Sequence, residues 1–259
     1  VSYALITAVG ESELNVLQEL RNEHTTVYSL PSEHSVFFEN IYSENQNHRD
    51  QNVLQTAAPF LAGQLPEIDA KYFHLGPLLD ADIDANLIKE LAAKGSVSLD
   101  VQGCLRYVRD QKVFHHDWPE KFDALPYVKI LKANDVEMKA ITGEDDIFKG
   151  CTQLAKLGVK EVIITLGDKG SIIFADGIFY SIPAYKPETV TDATGCGDTY
   201  MAGYLYKKSQ GASILEAGKF GAAMATLNIE NFGPFKGNLV DVLTVMATRP
   251  TIYFDAVVV

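Results

Sequence analysis

The feature that most constrains this chain is an alternation. Short apolar runs at Tyr3–Val9, Thr26–Leu30, Tyr72–Leu75, Val97–Val101 and Val128–Ala133 read as strands. Between them, Glu11–His24, Asp50–Ala62 and Asp84–Gly95 carry apolar residues at the three- and four-residue spacing of helices. Strands that are apolar on both faces must be covered on both faces. The pattern therefore predicts an α/β fold whose mostly parallel sheet lies between helices.

Two stretches break the pattern. Ser35–Gln51 alternates apolar and polar residues around a polar turn, as a small solvent-facing hairpin does. Glu161–Ala184 holds three short strands, and its Asp176-Gly177 is a tight-hairpin signal, so antiparallel strands are expected toward the C-terminal half. Helices resume from Asp198 to about Ser209 and from Ser213 to about Asn231, and the tail from Thr251 reads as an edge strand.

Charge narrows the function classes. A formal net charge of −12 argues against a nucleic-acid binder, which needs a basic face. It leaves room for an anionic substrate, because converging backbone N–H groups hold a phosphate whatever the global charge. No apolar run reaches the length of a membrane span. Cys104, Cys151 and Cys196 show no metal-ligand spacing, which fits a reducing, cytoplasmic compartment. The 259 residues suit one domain, 1–259, with 35–51 as part of a small β appendage.

The segment DATGCGDTYMAGYLY sets Gly195-Cys196-Gly197 directly before Asp198 and a helix. First-turn N–H groups of a helix have no internal partners and lie at its positive end. Glycines let those amides converge on one anion. Asp198 should be ionised there, and a carboxylate beside an anion cradle makes sense if it orients a hydroxyl attacking a bound phosphoryl group. A plain helix cap is the competing explanation of the same four residues. The helix end would also allow a depressed pKa and an oxidant-sensitive thiol at Cys196, but a small residue in the cradle is the preferred reading.

This segment resembles the second signature of the ribokinase-like (PfkB) family of ATP-dependent carbohydrate kinases, with Ala193 for Thr and Cys196 for Ala. KANDVEMKAITG carries the family's Asn-x-x-Glu at Asn134 and Glu137, and TLGDKGS its Thr-x-Gly-x-x-Gly at Thr165, Gly167 and Gly170. LDVQGCLR is a looser match to the Asp-x-Asn-x-x-Arg region, with Gln102 for Asn and a displaced Arg106. The resemblance runs from Tyr3 to about Gly237. The family's opening strand, its substrate aspartate and its Gly-Gly motif are not found, so an N-terminal segment is expected to be missing.

The resemblance implies a ribokinase-like three-layer sandwich with a small β lid, and ATP-dependent phosphorylation of a hydroxyl on a sugar, sugar acid or polyol. Asp198 would be the base, and Gly195, Cys196 and Gly197 the anion hole. Thr165, Gly167, Gly170, Ala222 and Ala223 would line the nucleotide site. Glu137 and Asn134 would organise Mg2+ through water, Asp192 and Thr194 a monovalent cation such as K+, and Arg106 the acceptor. A homodimer through the lid would use Phe37, Phe38, Ile41 and Tyr42.

Bland readings stand beside these. Asn134 and Glu137 fit a capping box, Thr165–Gly170 a strand-to-strand turn, His115-His116-Asp117 a solvated loop and His74–Asp84 a capped helix start. A nucleoside kinase of the same family and a silent metabolite- or nucleotide-binding protein are the alternative functions, the second disfavoured by the intact Asp198. A Rossmann dehydrogenase fits worst, because the glycine turn lies late in the chain and lacks GxGxxG spacing.

Overall fold

The computed structural model describes residues 1–22, 24–42 and 49–254, leaving aside the side chains of 40–42, 49 and 50. In chain order the elements begin with β1 (Tyr3–Val9), α1 (Val16–Leu20), β2 (Thr25–Pro31), β3 (Phe37–Tyr42), β4 (Arg49–Gln55), β5 (Tyr72–Leu75) and α2 (Ala85–Lys94). There follow β6 (Ser96–Asp100), β7 (Arg106–Arg109), β8 (Lys112–His115), α3 (Lys121–Ala124), β9 (Val128–Asn134), α4 (Asp135–Thr142) and α5 (Ile147–Lys156). The rest are β10 (Glu161–Thr165), β11 (Ser171–Ala175), β12 (Ile178–Ile182), β13 (Ala184–Tyr185), α6 (Cys196–Ser209), α7 (Ile214–Ile229), α8 (Leu239–Thr248) and β14 (Thr251–Ile252).

These elements fall into two units. The first comprises residues 1–69, 77–94 and 101–124, and the second 70–76, 95–100 and 125–259.

In the second unit, six strands form one sheet in the order β12-β11-β10-β9-β6-β5. The strands β5, β6, β9 and β10 run parallel, while β10, β11 and β12 run antiparallel, with Asp176-Gly177 closing the last hairpin. Alternation along the strands sorts the two faces. Ile130, Ile163 and Ile173 join Tyr200, Tyr204, Phe220 and Val242 of α6, α7 and α8 in one buried cluster. Their neighbours Leu131, Ile164 and Ile172 are equally buried and point to the other face, where α4 and α5 pack on β9 and β10. The expected sheet between helices is thus present. The edge-strand expectation for the tail holds for Thr251–Ile252, which pair antiparallel with β13, and residues 255–259 lie outside the described ones.

The first unit departs from expectation in three ways. Strands β1 and β2 pair in parallel but form a two-stranded sheet of their own instead of joining the main one. Within Glu11–His24 only Val16–Leu20 is α-helical, after a single 3-10 turn, because Leu17 alone in that helix is buried. The stretch Asp50–Ala62 is not a helix at all. Its first part is β4, whose Val53 is 3% exposed and whose edges pair with β3 and β8, and Pro59 stops a helix beyond it. The spacing of Val53, Leu54, Ala57 and Ala58 mimicked a helical stripe.

The hairpin expected at Ser35–Gln51 is β3 and β4, with Phe37 opposite Gln55 and Tyr42 opposite Arg49. Its tip, 43–48, lies outside the described residues. With β7 and β8 it completes a four-stranded antiparallel sheet in the order β3-β4-β8-β7. Asp84 caps α2 through the Leu87 N–H at 2.8 Å, and Asp82 accepts from the N–H groups of Leu78 and Leu79, so the acidic run after β5 is a capped helix start. His116 Nε2 meets Asp80 Oδ2 at 3.1 Å, and no group of three or more metal-ligating side chains occurs among the described residues.

Candidate active site

The carboxyl ends of β5, β6 and β9 and the N-terminus of α6 all belong to the second unit. In open α/β sheets, ligands bind at that end of the strands. Gly195 is the N-cap of α6 and takes a left-handed conformation (φ 75°, ψ 2°), which glycine adopts without strain. The loop before it is held by short-range bonds. Thr194 donates its N–H to Asp192 Oδ1 at 2.9 Å, and Asn228 of α7 donates to the Thr194 carbonyl at 3.0 Å.

The cradle is narrower than the glycine pattern suggests. The Cys196 N–H is engaged by the Ala193 carbonyl at 3.3 Å, whereas the N–H groups of Gly197 and Asp198 have no acceptor among the described residues. Asp198 is exposed, with its neighbour Thr199 buried behind it. Of the two readings of Cys196, a reactive thiol or a small residue in the turn, the structure favours the second. Burial pushes its thiol above the ordinary cysteine value, against the Asn228 side chain that lowers it. A half-buried, protonated sulfur packed on the Ala225 carbonyl at 3.7 Å is a small filler here, not a reactive thiolate.

Beside this turn stands a group that the motifs do not mention. Lys132, third from the end of β9, donates to Asp100 Oδ2 at 2.8 Å, and the two side chains are 6% and 8% exposed. Burial disfavours the ammonium, but Asp100, Glu137 and Asp198 outweigh it and hold its pKa above the ordinary lysine value. A Cβ placed on Gly197 would lie 3.0 Å from Lys132 Nζ, so the ammonium rests against the turn. His74 of β5 completes the cluster, with Nδ1 3.1 Å from the buried Ser98 hydroxyl. Part of His74 is open to solvent, yet the protein packed around its ring lowers its pKa, against the pull of Asp100 and Asp198. The imidazole is therefore neutral at pH 7.

The remaining expected residues divide. Asn134 and Glu137 form a reciprocal capping box at the start of α4, at 2.7 and 2.8 Å, and buried Glu137 also acts on Lys132. The bland reading is thus correct, and it does not remove Glu137 from the charged cluster. Thr165 ends β10 with its hydroxyl 3.4 Å from the Ala133 carbonyl, and Gly167 is exposed. Gly170 faces protein, since a Cβ there would meet the Ile182 carbonyl at 2.1 Å. Ala222 and Ala223 sit in the α6–α7–α8 core, and Ala223, at 0% exposure, has no surface to offer a ligand. Arg106 is buried within the first unit, where its carbonyl accepts from the Asp80 N–H at 2.8 Å.

Sequence reading missed Lys132 and Asn228, and it met Asp100 only as part of the loose Asp-x-Asn-x-x-Arg match and His74 only at the start of an acidic run. The available signal was a lysine inside the apolar run of β9 and an aspartate closing that of β6. Asn228 gave none, because its partner is a backbone carbonyl 34 residues away.

A family profile described as "pfkB family carbohydrate kinase" matches residues 70–238. A cytidine kinase of Thermococcus kodakarensis is 30% identical over 175 residues, covering 65% of this chain and 59% of that protein. The chain thus spans less than two thirds of that relative's length. Among solved structures, a sulfate complex of a pyrophosphate-dependent kinase in the ribokinase family superposes with a TM-score of 0.83 at 28% identity. That match covers 91% of this chain and 84% of the other. Arabidopsis thaliana ribokinase complexed with ribose and ATP shares the fold at a TM-score of 0.74 and 21% identity, over 95% and 82% of the two chains.

Proposed function

Because the chain belongs to the pfkB family of carbohydrate kinases, we propose that it transfers the γ-phosphoryl group of ATP to a hydroxyl of a sugar, sugar acid or polyol. The observation that carries this reading is the exposed Asp198 standing next to two unengaged amides at the mouth of α6. The Gly197 and Asp198 N–H groups would hold the transferred phosphoryl oxygens at the positive end of the helix. Asp198 would take the proton from the acceptor hydroxyl as that oxygen bonds to the γ-phosphorus. The bond from phosphorus to the bridging oxygen breaks, and ADP leaves with the electron pair.

Magnesium fits as an ion that arrives with the donor. The described residues offer no cage of three or more ligating side chains, and one Glu137 oxygen is engaged by the Asn134 N–H. Glu137 would therefore hold it through water, and the metal would neutralise donor phosphate charge. Potassium at Asp192 and Thr194 belongs to the same reading, as do a lid formed by the β3–β4 hairpin and a cytoplasmic location. No described helix is long and apolar enough to cross a membrane. Dimerisation through the hairpin is supported by Phe37, which is 54% exposed, while the side chains of Ile41 and Tyr42 lie outside the described residues. A monomer by light scattering would refute it.

Two variants of the reading have specific support. The 30% identity to a cytidine kinase favours a nucleoside as acceptor. The buried Ala223, where an adenine wall was expected, together with the likeness to a pyrophosphate-dependent kinase, favours pyrophosphate as donor. One screen separates them. ATP and pyrophosphate are each offered with sugars, sugar acids, inositols and nucleosides, and phosphorylated product is measured. Turnover with ATP and a carbohydrate is the expected result. Turnover on nucleosides alone, or with pyrophosphate alone, replaces the corresponding half of the proposal, and no turnover anywhere leaves a binding protein.

A further inference from the structure

Lys132 occupies a position that packing alone would fill differently. It lies two residues beyond Ile130 on the same face of β9 and pairs in register with Ile163, both fully buried in the apolar cluster under α6 and α7. An ammonium there loses its hydration, and a buried ion pair is commonly no more stable than two apolar side chains of the same volume. Fold stability gives no reason for the pair. Its surroundings do. The ammonium is clamped by Asp100, feels Glu137 and Asp198, and abuts the Gly197 turn. Three carboxylates gathered at a phosphate cradle would repel a polyanionic donor, and one fixed cation partly offsets them.

We infer that Lys132 is a positioning residue for phosphoryl transfer: held by Asp100 against Gly197, it fixes the Gly197–Asp198 turn and supplies positive charge where the migrating group becomes most negative. Its contribution falls on the transition state, so it acts on kcat more than on substrate affinity. Asp100 serves as the clamp and does not touch the reacting atoms. The inference rests on the kinase reading proposed above.

Lys132→Met alone takes away the cation beside buried Asp100 and risks misfolding, so the deciding variant is the double substitution Lys132→Met with Asp100→Leu, which removes both charges at once. Wild type and variants are compared by thermal unfolding, by kcat and KM for the donor and acceptor that turn over, and by calorimetric binding of the donor's product, ADP or phosphate. The expected result is a double variant that unfolds near the wild-type temperature and binds that product within about threefold, with KM values equally preserved and kcat lower by about 100-fold. A kcat within threefold of wild type overturns the inference. So does a parallel collapse of kcat, product binding and stability, which is what a merely structural pair gives. A wild-type protein inactive with every donor and acceptor removes the kinase reading itself, and this inference with it.

Discussion

Glu161, the first residue of β10, and Asp100, the last of β6, are both buried carboxylates paired with a lysine, but the two pairs are built on opposite terms. At Glu161 the demand is closed. Its oxygens accept from the Tyr204 hydroxyl at 2.5 Å and meet the Lys208 ammonium at 3.0 Å. Burial raises the Tyr204 pKa far above the ordinary tyrosine value, and nearby Glu161 raises it further, so the phenol stays a donor. At Asp100 the ammonium lies within reach of Asp100, Glu137 and Asp198, and Asp198 is exposed to solvent. The difference teaches how to tell structural charge from functional charge in one sheet. A closed network answers all of its own groups, whereas an open one leaves charge for something that is not part of the chain.

The sharpest break of that comparison is at Asp198. Asp198→Asn should lower phosphoryl transfer by about 10³-fold, in the range for loss of a general base, while donor affinity stays within about threefold. Unfolding should move by no more than about 0.5 kcal/mol, because the side chain is exposed. A variant that keeps its kcat would make the open end structural after all.

The reverse outcome is expected at the closed end. Lys208→Met leaves Glu161 buried without its cation, which should cost about 3 kcal/mol in denaturant unfolding, with kcat per folded molecule unchanged. Loss of activity without loss of stability there would erase the distinction.

The smallest effect concerns His74, at the open end. Its folded pKa is lowered by burial, so the unfolded chain binds the proton more readily below its own value of 6.5. The stability tied to neutral His74 is therefore present above that pH and is lost as acid approaches the folded pKa. Measured from about pH 7 to about pH 5, the Tm of His74→Gln should fall less than that of wild type. Equal slopes would mean that the imidazole is not desolvated.

What could be read in advance follows from the range of the interactions. Strands β5, β6, β9 and β10 announced themselves as mostly apolar runs, because two-sided burial leaves few polar residues in a strand's middle. Asp176-Gly177 gave the last hairpin for an equally local reason. The helix wrongly expected over Asp50–Ala62 failed because β4 owes its conformation to ladders with β3 and β8, and a ladder partner leaves no mark on the strand it pairs with. The separate sheet of β1 and β2 was hidden for the same cause.

The site divides in the same way. Asp198 and its glycines were visible because helix-end chemistry is written in consecutive residues. The Lys132–Asp100 pair spans 32 residues and two strands, so neither partner signalled the other. That Ala223 lies wholly inside the α6–α7–α8 core was not legible either, because burial there is a property of three helices together.

The loop leading into α6 is stitched to the end of α7. Thr191 and Asp192 both donate their N–H groups to the Ile229 carbonyl, the Thr191 hydroxyl donates to the Glu230 carbonyl, and Asn228 reaches back to Thr194. The turn before α6 is therefore not a portable cassette. Transplanting residues 191–198 into another scaffold without 225–230 would carry the letters of the motif and leave its geometry behind. For anyone redesigning this end of the molecule, the two segments form one indivisible part, and any change has to come from side chains around it.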